Sequence, residues 1–201
     1  KASLEAGDIG KAELLSITSF DPAPPPVSYI KTSGGLFRDM MIHDFDMANF
    51  IKGEAPIKLS AIASSIVNAE IEKAGDVDTA VVTMQYLDGS MAVIKNSRRA
   101  AYGYDQRLEV LGSGGLLQAQ NMLENTIVKS TENGVVSAKP TYFFLERYMP
   151  AYRAEWDAFM DVITQKKDIP VGMDDGVIAL AMAEAAKLSL AVGEPVELSK
   201  I

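Results

Sequence analysis

The chain contains no cysteine. Disulfides, thiolate nucleophiles and thiolate metal ligands are therefore excluded. That fits a reducing compartment, and a cytoplasmic location is the expectation. Histidine is almost as scarce, with His43 the only one in 201 residues. A zinc centre wants several His or Cys ligands, so no metal site is expected. Long apolar runs are also missing: none approaches the ~18 residues that a bilayer span requires. The opening residues, "KASLEAGDIGK", have no apolar core of a signal peptide. Basic residues are the minority, 19 against 27 acidic, for a net charge of −8. Such a surface repels phosphate backbones and argues against a nucleic-acid partner. No serine sits in a Gly-x-Ser-x-Gly elbow. No dinucleotide fingerprint is visible either: "GSGG" (112–115) has Leu117 where the last glycine belongs, and a strand should follow it. The sequence begins at Lys1, and "KASLEAGDIG" reads as a helix end running into a turn at Gly7 and Gly10. The chain is expected to begin inside a larger protein.

What is present is a globular composition, 48% apolar and 23% charged. Residues 11–22 have the texture of a strand. "APPPVSY" (23–29) is a proline-rich loop, because consecutive prolines continue neither a helix nor a central strand. Residues 57–68 alternate weakly. Residues 78–97 carry a hairpin signal around "LDGS" (87–90), and 105–112 alternate again before the glycine-rich turn. A second hairpin, 126–139, turns at Asn133-Gly134. Helical spacing returns in 151–165, with Tyr152, Trp156, Phe159, Met160 and Ile163. In 174–195, Asp174 is the expected N-cap and Gly193 the C-cap, with Pro195 after the stop. Residues 196–201 suit a last strand. The reading is a single α+β domain over 1–201, a mainly antiparallel open sheet, built as a meander, with helices packed on one face.

The most informative stretch is "SGGLFRDMMIHDFDMANFI" (33–51). Wound at 100° per residue it is apolar around most of its circumference, the mark of a buried helix. Leu36, Met40, Met47 and Ile51 share one side, and Phe37, Met41 and Phe45 the far side. Between them runs a narrow stripe of Asp39, His43, Asp46 and Phe50. An aspartate next to a histidine on a helix is commonly a plain ion pair. Here, however, unpaired charge on a buried helix would be expensive. Asp39 and Asp46 lie one turn either side of His43, where a carboxylate can hold the ring in one tautomer and stabilise its protonated form. The stripe must face a partner or a cavity, and its chemistry suits proton transfer.

This stretch, followed by "NSRRAAYGYDQRLEVLGSGG" and "FFLERYMPAYRAEW", closely resembles the inositol dehydrogenase branch of the glucose-fructose oxidoreductase/Idh/MocA family. The likeness runs from Gly7 to about Gly193, with the blocks in the family's order. It implies that this is the C-terminal α+β domain of a two-domain enzyme whose N-terminal Rossmann domain is absent here. It implies a polyol substrate, myo-inositol first, oxidised at a ring hydroxyl with NAD or NADP bound by that other domain. By the same resemblance His43 is the general base and Asp39 works with it, while the family's catalytic lysine lies outside these residues. Asp46 takes a further substrate hydroxyl. Tyr102 and Tyr152 correspond to tyrosines lining the pocket, with Tyr104 as a neighbour, and Asp21 corresponds to a polar position on the substrate side.

Plainer roles remain open for several of these. Tyr102 also fits a surface aromatic at a strand start, and Tyr152 the apolar face of its helix. Arg38 and Arg147 fit structural ion pairs, and Met40, Met41 and Met47 fit a core. For the whole chain two rival readings stand: the same family with another sugar or cyclitol, and a binding or assembly module with no redox chemistry. "AVVTMQY" (80–86) is apolar on both faces, so a homodimer or homotetramer through the sheet is expected. Without a cofactor site of its own, the chain by itself is expected to be inert.

Overall fold

A computed structural model describes residues 1–201. A short helix α1 (Ala2–Glu5) leads into β1 (Ala12–Phe20). Next come α2 (Val27–Ser33), one π-helical turn (Phe37–Met41) and α3 (Ile42–Lys52). β2 (Lys58–Ser64) and α4 (Ala69–Lys73) precede the hairpin β3 (Thr79–Gln85)–β4 (Met91–Ser97). β5 (Asp105–Gly112) and β6 (Gly115–Ala119) form a second hairpin, and β7 (Val128–Thr131) and β8 (Gly134–Ser137) a third. The chain closes with α5 (Phe144–Gln165), α6 (Met173–Val192) and β9 (Val196–Glu197).

The fold class matches the expectation, an α+β domain with a mainly antiparallel sheet, but the meander does not form. The seven-stranded order is β6-β5-β1-β4-β3-β2-β9. β1 inserts between β4 and β5, parallel to β4 and antiparallel to β5. The connection from β4 to β5 therefore passes the end of β1. Ala100 N–H donates to the Asp21 carbonyl at 2.7 Å, and Asp21 N–H to that of Ser97 at 2.9 Å. Those bonds satisfy backbone groups that a strand end would otherwise leave bare.

Alternation along the strands sends Leu15, Ile17, Val82, Ile94 and Val110 to one face, where each is at most 3% exposed. Phe37, Met41, Phe45 and Ala48 pack onto that face from the π-turn and α3, and Met182, Ala183 and Ala186 from α6. The alanines let α6 approach closely. Ser189 Oγ then accepts from Ala61 N–H, an edge donor of β2 that no strand pairs, and donates to the Glu194 carbonyl.

Several expected elements are corrected. Within 33–51 helix runs unbroken only from Leu36: α2 ends at Ser33, and Gly34 and Gly35 take φ of +92° and +85° between the two. Left-handed residues cannot continue a right-handed helix. Nor is α3 buried around most of its circumference. Its core side is the Phe37, Met41, Phe45 side, while Met47 and Phe50 face outward. The hairpin at Asn133-Gly134 forms, but as a separate two-stranded sheet with every residue exposed. α6 starts at Met173, one residue before the expected cap. Gly172 is the N-cap, and its N–H donates to the Asp175 carboxylate at 2.7 Å. The last strand is only Val196–Glu197, followed by a 3-10 turn. α5 begins seven residues earlier than expected and holds Pro150, yet none of its 22 residues is buried. Its apolar row of Tyr152, Trp156, Phe159, Met160 and Ile163 is exposed.

Candidate active site

The core-facing row of the sheet changes character toward one rim. Along β1 it reads Leu15, Ile17, Ser19 and then Asp21. Along β4 it reads Ala92, Ile94, Asn96 and then Arg98. The π-turn and α3 lay their own polar groups over this rim.

Asp39 sits in the π-turn. Tyr29 of α2 donates its hydroxyl to Oδ1 at 2.6 Å, and Arg98 Nη2 donates to Oδ2 at 2.9 Å. The Arg98 side chain is 2% exposed, and its Nη1 lies 3.8 Å from Oδ2 of Asp21. Burial pushes the Asp21 carboxyl up to about 6; Arg98 opposes that, while Asp39 and Asp44 reinforce it. One residue past the histidine, Asp44 is buried. Ser19 Oγ donates to its Oδ1 at 2.6 Å and Asn96 Nδ2 to its Oδ2 at 2.7 Å. Burial raises Asp44 to about 6 against those two hydrogen bonds and the nearby His43. Asp46 is half-buried. Its pKa is raised by burial and by Asp175 of α6, and His43 opposes the rise. His43 itself is exposed beside this cluster.

The tyrosines separate into two groups. Tyr104 is buried, accepts from Gln106 Nε2 at 3.3 Å, and meets the Tyr148 hydroxyl at 3.3 Å. Burial raises its pKa, with Tyr148, Asp21 and Asp44 adding to the rise, so it stands at the acid rim. Tyr152 joins the same pile through Tyr148, with ring centroids 6.3 Å apart, but remains 44% exposed. Tyr102 is held elsewhere. Its hydroxyl donates at 2.5 Å to Asp105, which also takes both arms of Arg107 at 2.9 Å. Burial and Asp105 raise the Tyr102 hydroxyl to about 12. Asp105 and Arg107 alternate with Gln106, so they belong to the opposite face of β5. The structure thus joins Asp21, Asp39 and Tyr104 around one rim, with His43 and Asp46 on the adjoining helix, and does not tie Tyr102 to them by a contact. Arg38 pairs with Glu184, as an ion-pair role requires. Arg147 does not: it lies over the Tyr148 ring, 6.0 Å from its centroid.

Arg98, Asp44, Ser19, Asn96 and Tyr29 were not singled out from sequence. A signal did exist. Continuing the apolar row Ala92, Ile94 by twos gives Asn96 and Arg98, polar positions that still face inward.

Two glycines set the approach of this segment. Gly35 has φ +85°, and a Cβ there would stand 2.6 Å from Asp76 Oδ1, whose carboxylate accepts from Leu36 N–H at 3.1 Å. Gly35→Ala is therefore predicted to destabilise the domain by about 1–3 kcal/mol, from backbone strain and a displaced cap. A denaturation midpoint equal to that of the wild type would refute this.

The glycine-rich turn at 112–115 is not free to cradle a dinucleotide. The glycines of 112–115 turn one strand into another, and they are used internally. A Cβ at Gly112 would collide with the Ile9 carbonyl, which itself accepts from Gly114 N–H at 2.8 Å. Two clefts, one of about 280 Å³ beside Lys11, Lys52 and Asp88 and one of about 150 Å³ beside Lys95 and Arg107, contain none of the stripe residues.

Sheet order, one-sided helix cover and an acid-rich rim define an α+β domain with a polar site at one end of its sheet. Its family is also established. The chain belongs to the Gfo/Idh/MocA oxidoreductases, whose "Oxidoreductase family, C-terminal alpha/beta domain" matches residues 1–198. It is 48% identical to the myo-inositol 2-dehydrogenase of Thermotoga maritima, over all of this chain and 60% of that protein. The crystal structure of a probable dehydrogenase from Thermotoga maritima superposes with a TM-score of 0.97 at 48% identity, covering all of this chain and 61% of that one. A scyllo-inositol dehydrogenase from Lactobacillus casei, solved with NAD(H) and scyllo-inositol, is 30% identical. Its TM-score is 0.89, over 98% of this chain and 60% of that one. The chain thus spans about three-fifths of the length of these relatives.

Proposed function

We propose that this domain supplies the substrate-side groups of an NAD(P)-dependent inositol 2-dehydrogenase. His43 is the base that takes the proton of the hydroxyl being oxidised. Asp39, fixed by Arg98 and Tyr29, supports the imidazolium that results. Asp46 accepts from a neighbouring hydroxyl, since a carboxylate has acceptor capacity for two vicinal groups. Tyr104, Tyr152 and Asp21 are assigned to the substrate side, and Tyr102 only if its hydroxyl leaves Asp105 when substrate binds. The dinucleotide, which accepts the hydride from the ring carbon, is held by parts of the protein outside these residues. One observation carries the reading: the only histidine is left exposed, one turn from an aspartate whose two oxygens are both pinned. The bare apolar row of α5 adds support, because a long amphipathic helix in water gains little stability without a partner surface.

Steady-state assays of the full-length protein, with NAD and with NADP against a panel of cyclitols and sugars, test this. Turnover of an inositol is expected; oxidation of sugars only, or of nothing on the panel, would remove the inositol assignment.

The uncovered sheet face is the expected site of self-association. Leu116, Leu111, Leu14 and Met91 lie in register across β6, β5, β1 and β4, and Ile62 and Val81 pair across β2 and β3; all are 38–77% exposed. These are two patches, since the four-strand row runs on into Gln85 and Lys58 while the Ile62–Val81 pair lies beside Lys95, and exposed apolar surface of this kind marks interaction sites. Sedimentation at micromolar concentration should give a dimer or tetramer, and a strict monomer would end this assignment.

A further inference from the structure

Arg98 is the largest of the fully buried side chains, and no hydrophobic argument places it there. It leaves the end of β4 in the core-facing row and reaches two carboxylates from two other elements. One is Asp39 of the π-turn, 59 residues away in sequence, at 2.9 Å; the other is Asp21 at the end of β1, at 3.8 Å. The groups in contact with Asp39 are Arg98 and the Tyr29 hydroxyl from α2, and Asp21 lies near it across Arg98. Arg98 is the only cation among them. A π-turn is itself a local departure from helical register that recurs at functional sites. Here it carries Asp39 and brings that residue within reach of Arg98 just before the helix that bears His43.

We propose that Arg98 is a positioning residue: by bridging Asp39 to Asp21 it locks the π-turn to the sheet rim and so fixes Asp39 relative to His43. This rests on the assignment of His43 as the base. The physical reason is geometric. A guanidinium is rigid and can hold two carboxylates through separate nitrogens, and a misplacement of about 1 Å at a reacting group can cost ~10²-fold in rate. An ammonium is a single point charge and can hold one of the two well. Arg98 itself is assigned no substrate contact, and of the substrate-side groups it touches only Asp21, at the longer distance, so the loss should fall mainly on kcat and little on KM.

The test compares Arg98→Met, Arg98→Lys and Arg99→Met. Arg99 is the adjacent arginine, exposed and turned to the Val67 carbonyl, so its variant makes the same charge change away from Asp39. In the full-length protein, Arg98→Met should lower kcat about 10²-fold with KM within roughly threefold, Arg98→Lys about tenfold, and Arg99→Met not at all. Either Arg98 variant, folded and turning over at the wild-type kcat, overturns the proposal. If Arg98→Met does not fold, Arg98→Lys decides by the same criterion. A second arm needs no turnover. His43 gives one imidazole Cε1–H resonance in NMR spectra of the 201-residue chain, because no other histidine exists. That resonance should move in both Arg98 variants and stay in place in Arg99→Met; a resonance unmoved by any of the three overturns the proposal. Should the wild-type protein oxidise no cyclitol, the assignment of function falls, and the resonance still decides whether Arg98 governs the surroundings of His43.

Discussion

Replacing His43 by alanine in the full-length protein is expected to lower kcat by ~10²–10⁴-fold, the range that follows loss of a general base. Folding should be almost untouched. His43 is exposed, and the residues that anchor its helix to the core, Phe45 and Ala48, are unchanged. The two readouts together make the result specific: an unchanged thermal melt with a collapsed kcat points to chemistry, whereas parallel losses would point to packing. Near-native turnover in the alanine variant would remove His43 from the reaction and transfer the proton to another acceptor. Asp46, on the same side of α3, would then be the first residue to test.

The second large effect concerns pH and a residue that sequence reasoning did not select. Asp44 stands near 6 in the folded chain against an ordinary value of 3.8. Burial is the main cause. The folded state therefore takes up this proton as pH falls through about 6, and the unfolded chain does so only near 4. A raised carboxyl stabilises the fold most below the unfolded value, and that contribution is lost as pH rises through the folded one. Keeping Asp44 ionised above pH 6 costs the fold roughly 3 kcal/mol, at 1.36 kcal/mol for each pKa unit. Asp21, also raised to about 6, acts with the same sign in the same window. Asp88 acts with the opposite sign and in a different window: hydrogen bonds from Ser90 hold its carboxyl well below the usual carboxylate range, so its contribution disappears only below about pH 4. Asp44→Asn should flatten the dependence of unfolding free energy on pH between 4 and 6, leaving the Asp21 part. At pH 7 the gain from removing a buried charge is offset in part, because the new amide keeps an acceptor for only one of Ser19 and Asn96, which both donate now, and turns a donor toward the other. Denaturant titrations at several pH values measure the slope, and an Asp44→Asn slope equal to that of the wild type would show that Asp44 does not carry it.

Much of the architecture was legible in the order of residues. The turns at residues 87–90 and at Asn133-Gly134 formed where their chemistry demands, and Gly193 closes α6 in the left-handed conformation. Each of these depends on neighbours within a few positions, where hydrogen-bonding rings and side-chain periodicity act directly. The double glycine marks a boundary: two left-handed residues in succession follow α2, and helix begins again beyond them through a π-turn.

From the residues themselves came the two-class plan of helices and strands, the exclusion of thiol chemistry, and the pairing of a lone histidine with Asp39 and Asp46. Tertiary structure decided the rest. Whether β5 would pair with β4 or cross to β1 is a choice between edges that present the same backbone groups, so no local pattern encodes it. The outcome depends on which closure buries the apolar row of β1 on both sides. The ion pair of Arg98 with Asp39, the clamp of Ser19 and Asn96 on Asp44, and the bare face of α5 arise in the same way. Each joins or exposes groups set far apart along the chain, and their energies come into being only when the rim closes and water is excluded from it.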